Sequence, residues 1–247
     1  MKTESKARAN RMPDHAKTYV AVVATLGTAS LAFALARWTS PDLTRFLLFL
    51  GITLVGATWK VRLPGMTSTI SASFLFVLLG IAEFSLSETL VAGCAATIVQ
   101  SIWHAQRRPQ PVQLLFNVAS WAISIDLAYE LSHLLVPDGP LASVIRVGLG
   151  AALFFAAHMG MLGVIVALTE SKTVRGIWRH LVFYTFTYYL VGAALAGVIN
   201  YSSKTLGLFT AMLVLPLMYL ASINLRVQME QIPATSLSDA LNHKSEE

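Results

Sequence analysis

The segment Val112–Val136, VQLLFNVASWAISIDLAYELSHLLV, decides how this chain folds. It is 25 residues long, mostly apolar, and bounded by Pro111 and by the strong turn Pro137-Asp138-Gly139-Pro140. About 20 such residues suffice to cross a bilayer as a helix. The polar residues within it fall on two faces. At 100° per residue Asn117, Ser120 and Ser124 lie within about 60° of one another. Asp126, Glu130 and His133 follow at i, i+4 and i+7 on a roughly opposite face. A helix polar on two sides does not suit lipid on either, so this segment is expected inside a bundle.

The rest of the chain agrees. Of 247 residues, 55% are hydrophobic and only 13% charged, with a mean hydropathy of +0.62. A soluble domain of this size carries about 25% charged residues, and a disordered chain has the opposite balance of apolar to charged. The composition indicates an all-α, polytopic membrane helix bundle with no room for a soluble catalytic domain.

Seven more apolar runs flank the central one. The first, Thr18 to Ala36, carries a small-x-small string at Ala34-Leu35-Ala36, but its length and the immediate Arg37 favour an uncleaved span over a signal peptide. Leu43 to Thr58 follows, then the basic turn Trp59-Lys60-Val61-Arg62-Leu63-Pro64-Gly65 and a hydroxyl-rich stretch, Met66 to Ser73. Ile70 to Ala82 is a short third span, which would be re-entrant if it failed to cross. Leu86 to Trp103, Leu141 to Leu168, Leu181 to Asn200 and Thr205 to Ile223 complete eight. The expected organisation is a basic tail at 1–17, a transmembrane bundle at 18–223 and a polar tail at 224–247.

Charge sets the orientation. With eight alternating spans and a cytoplasmic N-terminus, 14 Lys and Arg fall on the cytoplasmic side and 4 (Arg37, Arg45, Arg146, Lys204) on the other. Short loops follow the positive-inside rule, so both termini are expected in the cytoplasm and the protein in the inner membrane. The basic residues are spread over tails and loops, so the net charge of +5 is not a nucleic-acid signature.

A charge at mid-span costs about 2.5–3.5 kcal/mol on insertion scales, so buried polar residues ask for a partner or a cavity. Asn117, Ser124, Asp126, Glu130, His133 and the mid-span His158 are the candidates for ligand binding or signal sensing. Asn117 is expected to bond a neighbouring helix. Asp126, Glu130 and His133 fit no recognised metal motif, and an interfacial patch is the simpler reading. Glu83 and Glu88 flank a turn and are read as solvated. Gly148, Ala152, Ala156 and Gly160 repeat at i+4, and Gly192 pairs with Ala196. Small-xxx-small stripes let backbones approach closely, so these two segments are expected to pack together. Cys94 lies in an apolar run and reads as a small core residue. No Walker loop, His-Glu-x-x-His, Gly-x-Ser-x-Gly or paired-cysteine site occurs. No catalytic residue, metal or cofactor is assigned.

Several strings carry a family resemblance: Leu63-Pro64-Gly65 and the Ser/Thr stretch running into Phe74-Leu75-Phe76-Val77-Leu78-Leu79; Leu115-Phe116-Asn117; Leu168-Thr169-Glu170-Ser171-Lys172 with Trp178; Tyr188-Tyr189-Leu190; and Leu215-Pro216-Leu217. Over roughly residues 40–230 the chain resembles the N-terminal membrane sensor modules of bacterial HD-GYP phosphodiesterases and diguanylate cyclases. It departs from them at His158, where the family often has asparagine, and in lacking a Gly-Gly-Asp-Glu-Phe string or an HD-GYP metal pair. The resemblance implies a sensory or scaffold role in cyclic-di-GMP signalling without catalysis by this chain. The partners implied are the lipid bilayer and either a second copy or a separate signalling effector. A small-molecule-binding subunit of a transporter is the alternative.

Overall fold

The computed structural model describes residues 12–58, 60–62, 69–71, 73–103, 105, 109–139, 141–170 and 196–197. These form six helices and one short ribbon: α1 (Asp14–Ala36), α2 (Leu43–Thr58), β1 (Lys60–Arg62), β2 (Thr69–Ser71), α3 (Ser73–Glu83), α4 (Leu86–Ile102), α5 (Pro111–Leu135) and α6 (Ala142–Glu170). The strands pair antiparallel, with Val61 opposite Ile70.

Successive helices reverse direction. One end of the bundle gathers the 37–42 loop, the α3–α4 turn and residues 136–139. There Arg45 pairs with Glu83 at 2.9 Å, and the Tyr129 hydroxyl donates to the Phe84 carbonyl at 3.2 Å. At the opposite end the Tyr19 hydroxyl donates to the Met161 carbonyl at 3.2 Å, and the Ser73 hydroxyl meets Gln100.

Two helices occupy the middle. The central α5 packs on α1, α4 and α6 and touches α3, as a helix polar on two faces requires. The short α3 is the most enclosed: every residue from Ser73 to Ile81 is buried. Its sequence, SFLFVLLGIAE, is apolar all round, and such a helix belongs in a core. At 1.5 Å per residue it spans about 16 Å, well short of a bilayer core. The expected third span therefore needs correction. Ile70 and Ser71 lie in β2, and the helix begins only at Ser73.

Glycine lets α1 and α5 meet backbone to backbone. A Cβ at Gly27 would stand 2.5 Å from both the Cα and the carbonyl oxygen of Ala119. The outward surface is lined by large apolar side chains, among them Leu26, Phe33, Leu47, Val55, Leu127, Leu134 and Val164. Water would not tolerate such a surface, but lipid would. Among the described residues three helices are long and apolar enough to cross a membrane: Asp14–Ala36, Pro111–Leu135 and Ala142–Thr169. α2, α3 and α4 are apolar but shorter. Apart from residues 196–197, the expected spans at 181–200 and 205–223, with most of both tails, lie outside the described residues.

Candidate signal-sensing site

The polar residues separate into two groups. The first is at the end holding the 37–42 loop. Ser85-Leu86-Ser87-Glu88 is an S-x-x-E capping box: the Ser85 hydroxyl accepts from the Glu88 N–H, and the Glu88 carboxylate accepts from the Ser85 N–H at 2.9 Å. The other Glu88 oxygen accepts from the Ser40 hydroxyl at 2.7 Å. Ser85 Oγ lies 2.8 Å from the Thr39 carbonyl, and the Ser87 hydroxyl donates to the Ala34 carbonyl at 2.8 Å. Glu88 is 2% exposed, which corrects its reading as a solvated residue. Glu83 is partly buried and holds Arg45, whose guanidinium also lies 4.9 Å from the centre of the Phe84 ring.

These bonds strap the α1–α2 connection over the start of α4. α1 and α2 themselves pack mainly on other helices, α1 on α5 and α2 on α4. The S-x-x-E spacing was available in the sequence and identifies this group. Ser40 could not have been found that way, because its role depends on a contact 48 positions away.

The second group is the polar set of α5 and α6, and the expected candidates do not converge. Ser124 is buried, but its hydroxyl donates to the Ser120 carbonyl at 2.7 Å, within its own helix. Asp126 reaches across to α1, where the Ser30 hydroxyl donates to Oδ2 at 2.9 Å. Glu130 is exposed. His133 stacks on Tyr129 with centroids 4.1 Å apart, and its Nδ1 lies 2.8 Å from the Tyr129 carbonyl. Asp126, Glu130 and His133 thus face three different surroundings. Among the described residues no group of three or more His, Cys, Asp or Glu could hold a metal ion.

Asn117 is partly buried, and its side chain makes no hydrogen bond among the described residues, contrary to the expected bond to a neighbouring helix. His158 lies edge-on to Trp121, centroids 5.7 Å apart, and beside Phe154 at 5.6 Å. Its Nδ1 is buried without a hydrogen-bond partner.

The α6 stripe points away from α5. Gly148, Ala152 and Ala156 are exposed and Gly160 is partly so; a Cβ at Gly148 or Gly160 would meet nothing within 4 Å. Gly192, on the expected partner segment, lies outside the described residues. Ala196 is fully buried in the main core, as Cys94 is nearly so.

An apolar, outward-facing helix bundle with polar links between helices defines the class: a helical membrane protein. The family model MASE9 matches residues 25–230. The chain therefore belongs to the MASE9 family, one of the families of membrane-associated sensor domains. No curated protein and no solved structure matches the chain.

Proposed function

We infer that this chain is a non-catalytic, multi-pass sensor of the bacterial inner membrane. It registers a signal in or across the bilayer and relays it to a partner, either a second copy or a separate effector of the HD-GYP or diguanylate cyclase kind. The observation that carries this reading is the Ser30–Asp126 hydrogen bond between α1 and α5, set in a chain of a membrane sensor family. A ligand or stimulus moves a two-state bundle only through different affinities for its states. A single hydroxyl-to-carboxylate bond between two long helices, in an otherwise apolar contact, is a link that two states would make or break.

The proposed topology keeps eight alternating helical segments with both termini in the cytoplasm, the short α3 running enclosed by its neighbours rather than spanning against lipid. It puts the end carrying Arg37, Arg45 and Arg146 outside. Arg45 and Arg146 are each paired with an acid there, Glu83 and Asp138. The test is deletion of the chain in its host, with cellular cyclic-di-GMP and solute accumulation measured together. A changed nucleotide level with unchanged accumulation supports relay. An unchanged nucleotide level with lost accumulation supports the transport alternative.

A further inference from the structure

The seam between α5 and α6 holds three side chains with hydrogen-bonding groups left unused among the described residues. His158 Nδ1 is buried with no partner. The Trp121 indole N–H and the Asn117 amide make no hydrogen bond among the described residues, although Trp121 is only 8% exposed. Trp121 and His158 are in ring contact. Asn117 and Trp121 are spaced i and i+4, on one face of α5. Phe154 closes the wall, its centroid 5.2 Å from Trp121 and 5.6 Å from His158.

Neighbouring polar groups on these helices behave differently. Ser120, Ser124 and Ser132 spend their hydroxyls on their own helix, Asp126 has Ser30, and Tyr129 has Phe84. In an apolar interior an unmade hydrogen bond costs about 1–3 kcal/mol per group, so native structures keep few of them. Of the three, His158 Nδ1 is the one fully buried without a partner; the indole and amide donors on the facing helix are unspent beside it, and together they offer a set of groups for something else to complete.

The chemistry of the three groups narrows the ligand. Indole N–H can only donate, the asparagine amide can do both, and a neutral histidine offers one donor and one acceptor. The ligand must therefore carry an acceptor oxygen. Aromatic walls favour a flat ring that stacks or meets them edge-on. No charged side chain takes part, so the ligand is uncharged. Its place, well inside α5 and α6, calls for a molecule that reaches it from the lipid.

We propose that Asn117, Trp121 and His158 form a binding site for a lipid-soluble quinone, whose carbonyl oxygens accept from these donors while its ring lies against Trp121 and Phe154. The proposal rests on the sensor reading above and names the class of its signal. Binding of the oxidised ring would then report the redox state of the membrane, because reduction turns the acceptor carbonyls into hydroxyls and changes the hydrogen-bond match.

The experiment uses the full chain in lipid nanodiscs, titrated with decylubiquinone and followed by tryptophan fluorescence. Free partitioning gives quenching that rises without saturating. The site predicts an added saturable component that disappears in Trp121→Phe. In His158→Phe the midpoint should rise about tenfold, the loss expected for one hydrogen bond. His158→Gln, which keeps a donor and an acceptor, should fall between the two. If His158→Phe does not fold, the wild-type titration and the glutamine variant decide. Absence of a saturable component in the wild type overturns the proposal, as does a midpoint indifferent to His158. A failed titration alongside altered cellular cyclic-di-GMP in a Ser30 variant would remove the quinone site and leave the sensor reading standing.

Discussion

Glu88→Ala should loosen the end of the bundle where the 37–42 loop crosses α4. Glu88 is 2% exposed, and its two oxygens accept from Ser40 Oγ and from the Ser85 N–H. The alanine variant strands both donors. A buried donor left unmade costs about 1–3 kcal/mol, and loss of a capping interaction typically costs about 1 kcal/mol. Ser40 is partly exposed and can turn to water, so the sum is about 2–4 kcal/mol rather than the full total. Glu88→Gln keeps an acceptor for the Ser85 N–H and loses mainly the carboxylate's attraction to the helix N-terminus, about 0.3–1 kcal/mol. Thermal melts of the purified protein in mild detergent, followed by circular dichroism, should rank wild type, then Gln, then Ala. Glu130→Ala, at an exposed position, should melt within error of wild type. An alanine variant as stable as wild type, or a glutamine variant as weak as alanine, would refute the argument that the buried carboxylate holds this junction.

Three other predictions test the packing and the topology. Gly27→Val forces α1 away from α5, because even a Cβ would stand 2.5 Å from Ala119 backbone atoms; overpacking of this kind costs about 1–3 kcal/mol, and reduced accumulation in membranes would show it. Gly148→Ala faces open space and should be neutral or slightly stabilising in the same melts, since alanine is the better helix former. Reporter fusions after residues 105 and 174 should read cytoplasmic and one near residue 138 external. The opposite pattern at 138 and 174 would contradict the eight-span arrangement.

Most helix positions were legible because Pro, Gly and charge punctuate long apolar runs. The second span, Leu43 to Thr58, coincides with α2, and the central segment differs from α5 by one residue at each end. The region between them was harder. Lys60–Arg62 and Thr69–Ser71 form strands of three residues, too short for alternation to stand out beside the Ser/Thr content. α3 was legible as helix but not as the most buried one, although its lack of any polar face carries that information. The candidate site was legible in part. Polar residues within apolar runs directed attention to Asn117, Asp126 and His158, but residue type cannot tell a satisfied hydroxyl from a free one. Ser124 and Asp126 are both polar residues within one apolar run; only the fold shows that one bonds its own turn and the other bonds α1.

On the proposed reading signal passes through polar contacts between helices, and the Ser30–Asp126 bond is the contact most open to test. Ser30→Ala and Asp126→Asn alter the same 2.9 Å contact from opposite sides. Variants of one contact should be non-additive, the double variant resembling the singles. Each would be expressed in cells lacking the native chain, with membrane level checked by immunoblot and cyclic-di-GMP measured by mass spectrometry. Both singles and the double should shift the nucleotide level in the same direction by a similar amount at normal protein level. Nucleotide levels equal to wild type in all three variants, with the protein present in the membrane, would contradict it.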